Sequence, residues 1–230
     1  MTKMNNHLKE QLWDMNEEVL EYLSDGSWQK RSAPSFDKQL DSLQSIASEV
    51  QACRLCQLGS QRTLAVPGEG SENATLLVVG EGPGFEEDRS GRAFVGKAGV
   101  YLDSWLASIG CSRQTNTFIA NIVKCRPPNN RDPEPEEAQA CLPYLLRQIE
   151  LIRPQGILVV GKVAARFLLG KDEPLHMLRD KEHRYNGIPT VVTYHPAAVL
   201  RNPELRRPVW EDLKRLATLI DVPIAQKKSN

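Results

Sequence analysis

Asn121, Phe94 and His195 are the side chains best suited to hold a flat, polar ring, and each adjoins an apolar run of the chain. An asparagine amide sets a donor beside an acceptor, which matches the edge of an amide, a lactam or a pyrimidine base. A phenylalanine stacks on such a ring. A histidine followed by a proline, as in Tyr194-His195-Pro196, is held in place and can donate to an oxyanion as it develops. Carboxylates lie close to these groups in Glu81 and in the Glu86-Glu87-Asp88 run. Arginines cluster at Arg126, Arg131, Arg201, Arg206 and Arg207. Arginines at the rim of a cleft bind phosphates.

The stretch from Gly80 to Gly99, GEGPGFEEDRSGRAFVGKAG, contains six glycines and one proline. Glycine permits close approach of backbone to a ligand, and the preceding apolar run Leu76–Val79 reads as a buried strand. No Gly-Lys-Ser/Thr closes the loop, so it is not a Walker loop. Pro83 and the acidic run stand where a dinucleotide fingerprint would start its helix.

Four of the five cysteines form a second constellation. Cys53 and Cys56 make a Cys-x-x-Cys pair, and Cys125 and Cys141 follow. In a reducing compartment this pattern suggests metal rather than disulfide, and four thiolates suit zinc and an iron–sulfur cluster equally well. Cys111 falls outside any pairing and reads as a small buried group.

These residues need a scaffold. Strands are expected at Leu76–Val79, Phe118–Val123, Gly156–Val160 and Thr190–Tyr194, and helices at Val100–Ile109, Pro135–Ile152, Lys162–Leu169 and Pro203–Ile220. Such alternation predicts an α/β fold whose four-stranded parallel sheet carries helices on both faces. Asn121, His195 and the glycine loop would then meet at the carboxyl edge of the sheet, where open α/β sheets bind ligands.

Ahead of this domain, Leu8, Leu12, Met15, Val19 and Leu23 recur at helical spacing with an acidic opposite face. A polar linker, Gln29–Ser35, follows, then a second amphipathic helix through Phe36, Leu40, Leu43, Ile46 and Val50. Residues 1–34 therefore read as a helical extension and linker, residues 35–222 as the main domain, and residues 223–230 as a polar tail. The apolar stripe of the extension would serve a protein partner or self-association. The formal charge is zero, but residues 1–52 hold 5 Lys and Arg against 9 Asp and Glu. The glycine-rich part is thus the basic part. No apolar run is long enough to span a bilayer and the start lacks a secretory core, so a cytoplasmic location is expected.

Taken together, GEGPG-x-x-ED, G-R-x-F-V-G-x-A-G, NIVKCRPPNNR and HPAA-x-LR resemble the motifs of family 4 uracil-DNA glycosylases, the iron–sulfur members of the uracil glycosylase superfamily. The resemblance spans about residues 37–220. It implies a three-layer α/β/α fold, a [4Fe–4S] cluster on Cys53, Cys56, Cys125 and Cys141, and excision of uracil from DNA. It places Glu81, Gly82, Pro83 and Gly84 in the first pocket motif together with Glu87 and Asp88. It makes Phe94 the stacking residue, Asn121 the reader of the O4 and N3 edge, and His195 the group facing O2. Arg126, Arg131, Leu200 and Arg201 become DNA contacts, with residues 197–201 entering the duplex. Where the best-known uracil glycosylases carry a water-activating aspartate, this chain has Gly82, which leaves Glu81 and Glu87 as candidates. The sequence lacks the Arg-Arg-Ile-His loop of a related branch that traps the sugar, so ordinary turnover is expected. Two other readings are a non-catalytic nucleic-acid-binding domain, as fused to some phage polymerases, and a zinc-stabilised hydrolase of small amides or nucleosides.

Overall fold

The structure, a computed structural model, describes residues 41–224. The expected extension over residues 1–34 and its partner surface lie outside the described residues.

The first described helix, α1 (Leu43–Ala52), starts with a capping box in which the Ser42 hydroxyl accepts from the Ser45 amide at 3.0 Å. A short turn of helix, α2 (Leu58–Gln61), follows. The chain then alternates: β1 (Glu69–Gly70), β2 (Leu76–Gly80), α3 (Phe85–Ser90), α4 (Lys97–Ser108), β3 (Thr117–Asn121), α5 (Pro135–Ile152), β4 (Gly156–Val160), α6 (Lys162–Leu169), α7 (Leu175–Arg179), β5 (His183–Tyr185), β6 (Ile188–Thr193), α8 (Pro196–Arg201) and α9 (Arg206–Leu219).

The sheet has six strands in the order β1-β3-β2-β4-β6-β5. Its four middle strands are parallel, as their register pairs show. The expectation of a purely parallel four-stranded sheet is corrected at both edges, where β1 and β5 pair antiparallel with β3 and β6. Both strands are very short. β5 is joined to β6 through Asn186 (φ +48) and Gly187 (φ +82), which is the Asn-Gly hairpin turn.

Strands β2, β3 and β4 are buried along their whole length because both faces are covered. Leu77, Val79, Phe118, Ala120, Ile157 and Val159 pack into one core with Ile46 and Val50 of α1, Leu145 and Ile149 of α5, and Ala165 and Leu168 of α6. Leu76, Val78, Ile119, Leu158 and Val160 pack on the other side with Leu102 and Leu106 of α4 and Leu213 and Leu216 of α9. The two cores hold the parallel strands in register. Their carboxyl ends then present Gly80, Asn121, Gly161 and Tyr194-His195 along one edge.

The acidic run after Gly84 is helical. Three carboxylates in its first turn suit the positive end of a helix.

Candidate active site

Gly80 and Asn121 are register partners at the ends of β2 and β3. A Cβ on Gly80 would stand 2.4 Å from Asn121 Oδ1 and 2.6 Å from Phe94 Cζ. Only glycine at this position lets the asparagine amide and the phenylalanine ring meet over bare backbone. Phe94 and His195 in turn are neighbours, their ring centroids 5.7 Å apart at an interplanar angle of 34°. The three side chains expected to hold a flat ring are therefore gathered in one place.

Asn121 is only 1% exposed, and its Oδ1 has no hydrogen-bond partner. A buried carbonyl without a partner costs about 1–3 kcal/mol, so an acceptor held this way suits a ligand N–H. With the amide's own N–H donors beside it, Asn121 matches the edge of a cyclic imide.

His195 caps α8, and its Nδ1 accepts from the Ala197 amide at 3.2 Å. That bond leaves Nε2 to carry the proton of the neutral ring. The imidazole is indeed neutral: burial pulls it down to about 4, and the Arg201 cation pushes the same way against a smaller opposing pull from Glu87. It can thus donate an N–H without bringing a formal charge.

Glu81 follows β2 directly. Burial, with the Asp132 carboxylate nearby, lifts its own carboxyl to about 7, where a general base works well near neutral pH. Gly82 packs so closely on Val123 that a Cβ would lie 2.7 Å from its Cγ2. An aspartate there would have to displace Val123. Pro83 is buried, and Gly84 caps α3.

Two acidic residues named from the sequence are engaged elsewhere. Glu87 accepts from the amides of Val95 at 2.8 Å and Gly96 at 2.9 Å through Oε1, and from Gly84 at 3.1 Å through Oε2. It braces both ends of the glycine loop. Asp88 points to the far side, where its Oδ1 accepts from the Thr63 amide at 2.9 Å.

The arginines also divide. Arg131 forms a two-pronged pair with the buried Glu137, at 2.7 and 2.9 Å, so its fork is spent on the start of α5. Arg126 lies over the ring of Phe85, 5.2 Å from its centroid. Arg201 is exposed, and so is Leu200 on α8, at 44%.

Cys53 ends α1, Cys56 precedes α2, Cys125 follows β3 and Cys141 sits within α5. All four line a single pocket with Arg62, Lys124 and Tyr144. Among the described residues no three or more His, Cys, Asp or Glu side chains are grouped closely enough to hold a metal ion. Arg62 Nη1 donates to Cys125 Sγ at 2.9 Å, and the Lys124 amide to Cys141 Sγ at 3.1 Å. Burial pushes the thiols of Cys56 and Cys125 up, and that of Cys141 up to about 12.

Three contributors escape a reading by motif. Arg62 and Lys124 serve the cysteine pocket, and the buried Arg113 bonds the backbone at Phe94. Arg113 lies in a turn with no repeated pattern, and nothing in its neighbours announces burial. Arg62 follows the Cys-x-x-Cys pair by six positions, a cation near thiolates that could have been singled out.

The model of the uracil DNA glycosylase superfamily matches residues 67–214. A type-4 uracil-DNA glycosylase of Sulfurisphaera tokodaii is 43% identical over 192 residues, 80% of this chain and 87% of that protein. One of Archaeoglobus fulgidus is 42% identical over 188 residues, 78% of this chain and 94% of its own length. One of Thermotoga maritima is 44% identical over 185 residues, 78% of this chain and 96% of its own. The matched span takes in the glycine loop, Asn121 and His195 together, and on that evidence the chain belongs to the uracil DNA glycosylase superfamily.

Proposed function

We propose that this chain excises uracil from DNA by hydrolysing the N-glycosidic bond, leaving an abasic site. The observation that carries this reading is the unpartnered buried Oδ1 of Asn121, set beside the Phe94 ring and the neutral His195.

A base inside a duplex cannot reach such a site, so it must be flipped out at a cost of a few kcal/mol. Leu200 fills the gap left in the stack, and Arg126 and Arg201 hold the kinked backbone. Phe94 stacks on the extruded ring. Asn121 accepts from N3–H and donates to O4. The C1′–N1 bond then breaks with its electron pair going to the uracil ring, where charge gathers on O2. His195 Nε2–H donates to that oxygen, and the bond strengthens as the charge grows. A water adds to C1′ and gives its proton to Glu81. Glu87 keeps the loop in shape.

The resident cofactor on this reading is a [4Fe–4S] cluster held by Cys53, Cys56, Cys125 and Cys141. The single pocket shared by the four sulfurs and the N–H donors aimed at two of them support it. When bound it supplies a structural tie between the end of α1 and the loop that leaves Asn121.

The test is incubation of the purified protein with a uracil-containing oligonucleotide, followed by alkali and a gel. Strand breakage at uracil and at no other base supports the reading, and an uncut strand refutes it. Iron and sulfide content with visible absorbance tests the cluster. A colourless protein carrying zinc would refute the iron–sulfur assignment.

A further inference from the structure

Phe85 is 55% exposed, and among the described residues it is the only aromatic side chain so exposed. It stands directly after Gly84, so the loop that forms the pocket also presents this ring.

One face is covered by Arg126, whose guanidinium lies 5.2 Å from the ring centroid. Arg126 is itself fixed, since its Nε donates to Asn130 Oδ1 at 2.7 Å. Among the described residues no other partner is recorded for its guanidinium, so its outer nitrogens remain available. The loop that supplies Asn130 is tightly built. Asn129 and Asn130 both have left-handed backbones, at φ +56 and +53, and the Asn130 amide donates to Pro127 O at 3.0 Å. Left-handed asparagines cost less than other residues there but still carry strain. The Arg131–Glu137 pair pins the far end of the same loop. The loop thus supplies Arg126 with one hydrogen-bond partner beside its contact with Phe85.

The two residues come from the loops after β2 and β3, which touch where Gly82 lies against Val123 and Pro127. These are the loops that carry Glu81 and Asn121. The neighbouring acidic residue, Glu86, is turned to Arg89 at 3.5 Å. The composite surface is an aromatic ring with a guanidinium over one face and its other side exposed, carried by the two loops that also bear Glu81 and Asn121. A base with its phosphate complements both parts, by stacking and by charge.

We propose that Phe85 and Arg126 form a second base-binding site that takes a nucleotide adjoining the excised one, its base stacked on the open face of Phe85 and its phosphate on Arg126. The inference rests on the DNA-glycosylase reading and extends it. Such a site favours substrates whose flanking base is free to unstack, such as single-stranded uracil DNA, over a fully paired duplex.

The test is a binding cycle on single-stranded oligonucleotides carrying 2′-fluoro-deoxyuridine, whose fluorine destabilises the sugar cation and blocks excision. Three probes are used: one intact, one with the base 5′ of the uracil replaced by an abasic tetrahydrofuran, and one with the 3′ base so replaced. Phe85→Ala is expected to weaken binding of the intact probe by roughly 5- to 150-fold, the range for loss of one base–aromatic stack. Wild type should lose a similar factor on one of the two abasic probes, and Phe85→Ala should lose nothing further on that probe. Phe85→Trp should restore affinity. Losses that multiply on both abasic probes, or a Phe85→Ala protein that binds all three like wild type, would overturn the site. Wild-type excision of ordinary uracil is measured in parallel. Failure there sinks the glycosylase reading, and normal excision with a non-coupled cycle sinks only this inference.

Discussion

Arg113 holds Phe94 from behind. Its Nη1 donates to Ala93 O at 2.7 Å and its Nη2 to Phe94 O at 2.9 Å. Phe94 has φ +51, a backbone that costs a non-glycine residue about 1–3 kcal/mol. The guanidinium is buried and neutralised by Glu69 at 2.5 Å and Asp103 at 2.8 Å. On the other side of the Phe94 carbonyl, a Cβ on Gly99 would stand only 1.8 Å from the oxygen. The ring that should stack on the substrate is thus set before any substrate arrives, held through its backbone by Arg113 and Gly99.

Arg113→Gln should therefore lower both stability and excision. The substitution removes a buried guanidinium and its bonds to Ala93 O and Phe94 O, so a clear fall in melting temperature is expected. Arg113→Lys keeps the charge without the two-pronged fork. It should recover much of the stability and little of the excision rate. Thermal unfolding beside single-turnover excision separates the two, and a lysine variant that regains both equally would show that the fork does not position Phe94.

His195→Ala should slow excision on the order of 100-fold, the usual loss for one donor to a developing oxyanion, while DNA affinity stays nearly intact. The charge it meets exists only near the transition state. The wild-type imidazole is held near 4, so it stays neutral above that value. No limb of the pH–rate profile between about 5 and 8 should belong to it. Equal losses in binding and in rate would contradict this role.

The limb in that window should belong to Glu81. Its carboxyl is raised to about 7, so the base form is scarce below that pH and dominant above it. The excision rate should climb with pH through about 7 and then level off. Glu81→Gln should flatten the climb and slow the plateau, on the order of 100-fold for loss of a general base. An unchanged limb in the glutamine variant would assign it to another group.

Cys125→Ala should give a colourless protein of low stability. The loss removes one of four sulfurs from the shared pocket and leaves Arg62 Nη1 without its acceptor. Metal content and visible absorbance check it, and full iron with unchanged absorbance would refute the ligand assignment.

The parallel core was legible because β2, β3 and β4 are built on apolar runs, and the placing of Asn121 and His195 along one carboxyl edge followed from the parallel direction of the strands. The edges were not. Two residues of β1 give no periodicity to read. The Asn186-Gly187 turn, by contrast, was a hairpin signal available in the sequence and passed over. The roles of Glu87 and Asp88 were blurred because adjacent residues of a short helix face different neighbours, which a motif treats as one acidic unit. Arg131 stands next to Asp132 and just before Glu134 and Glu137. Whether such an arginine faces DNA or its own helix is decided by tertiary placement.

Asn121 sets the sign of a last test. Its buried Oδ1 lacks a partner in the free protein, and such a group costs about 1–3 kcal/mol. The site is kept at the expense of stability, as positions that await a ligand are. Asn121→Leu keeps a similar volume and removes the orphaned acceptor. Its melting temperature should equal or exceed that of wild type, where a core polar residue with satisfied bonds would show a loss. Excision should fall on the order of 100-fold or more, because a site built to hydrogen-bond its substrate discriminates strongly when that bond is lost. Free uracil gives a readout without catalysis. It should raise the melting temperature of wild type by mass action and leave that of Asn121→Leu unmoved. A destabilised variant that still responds to uracil would show that Asn121 serves the fold and that the base is read by another group.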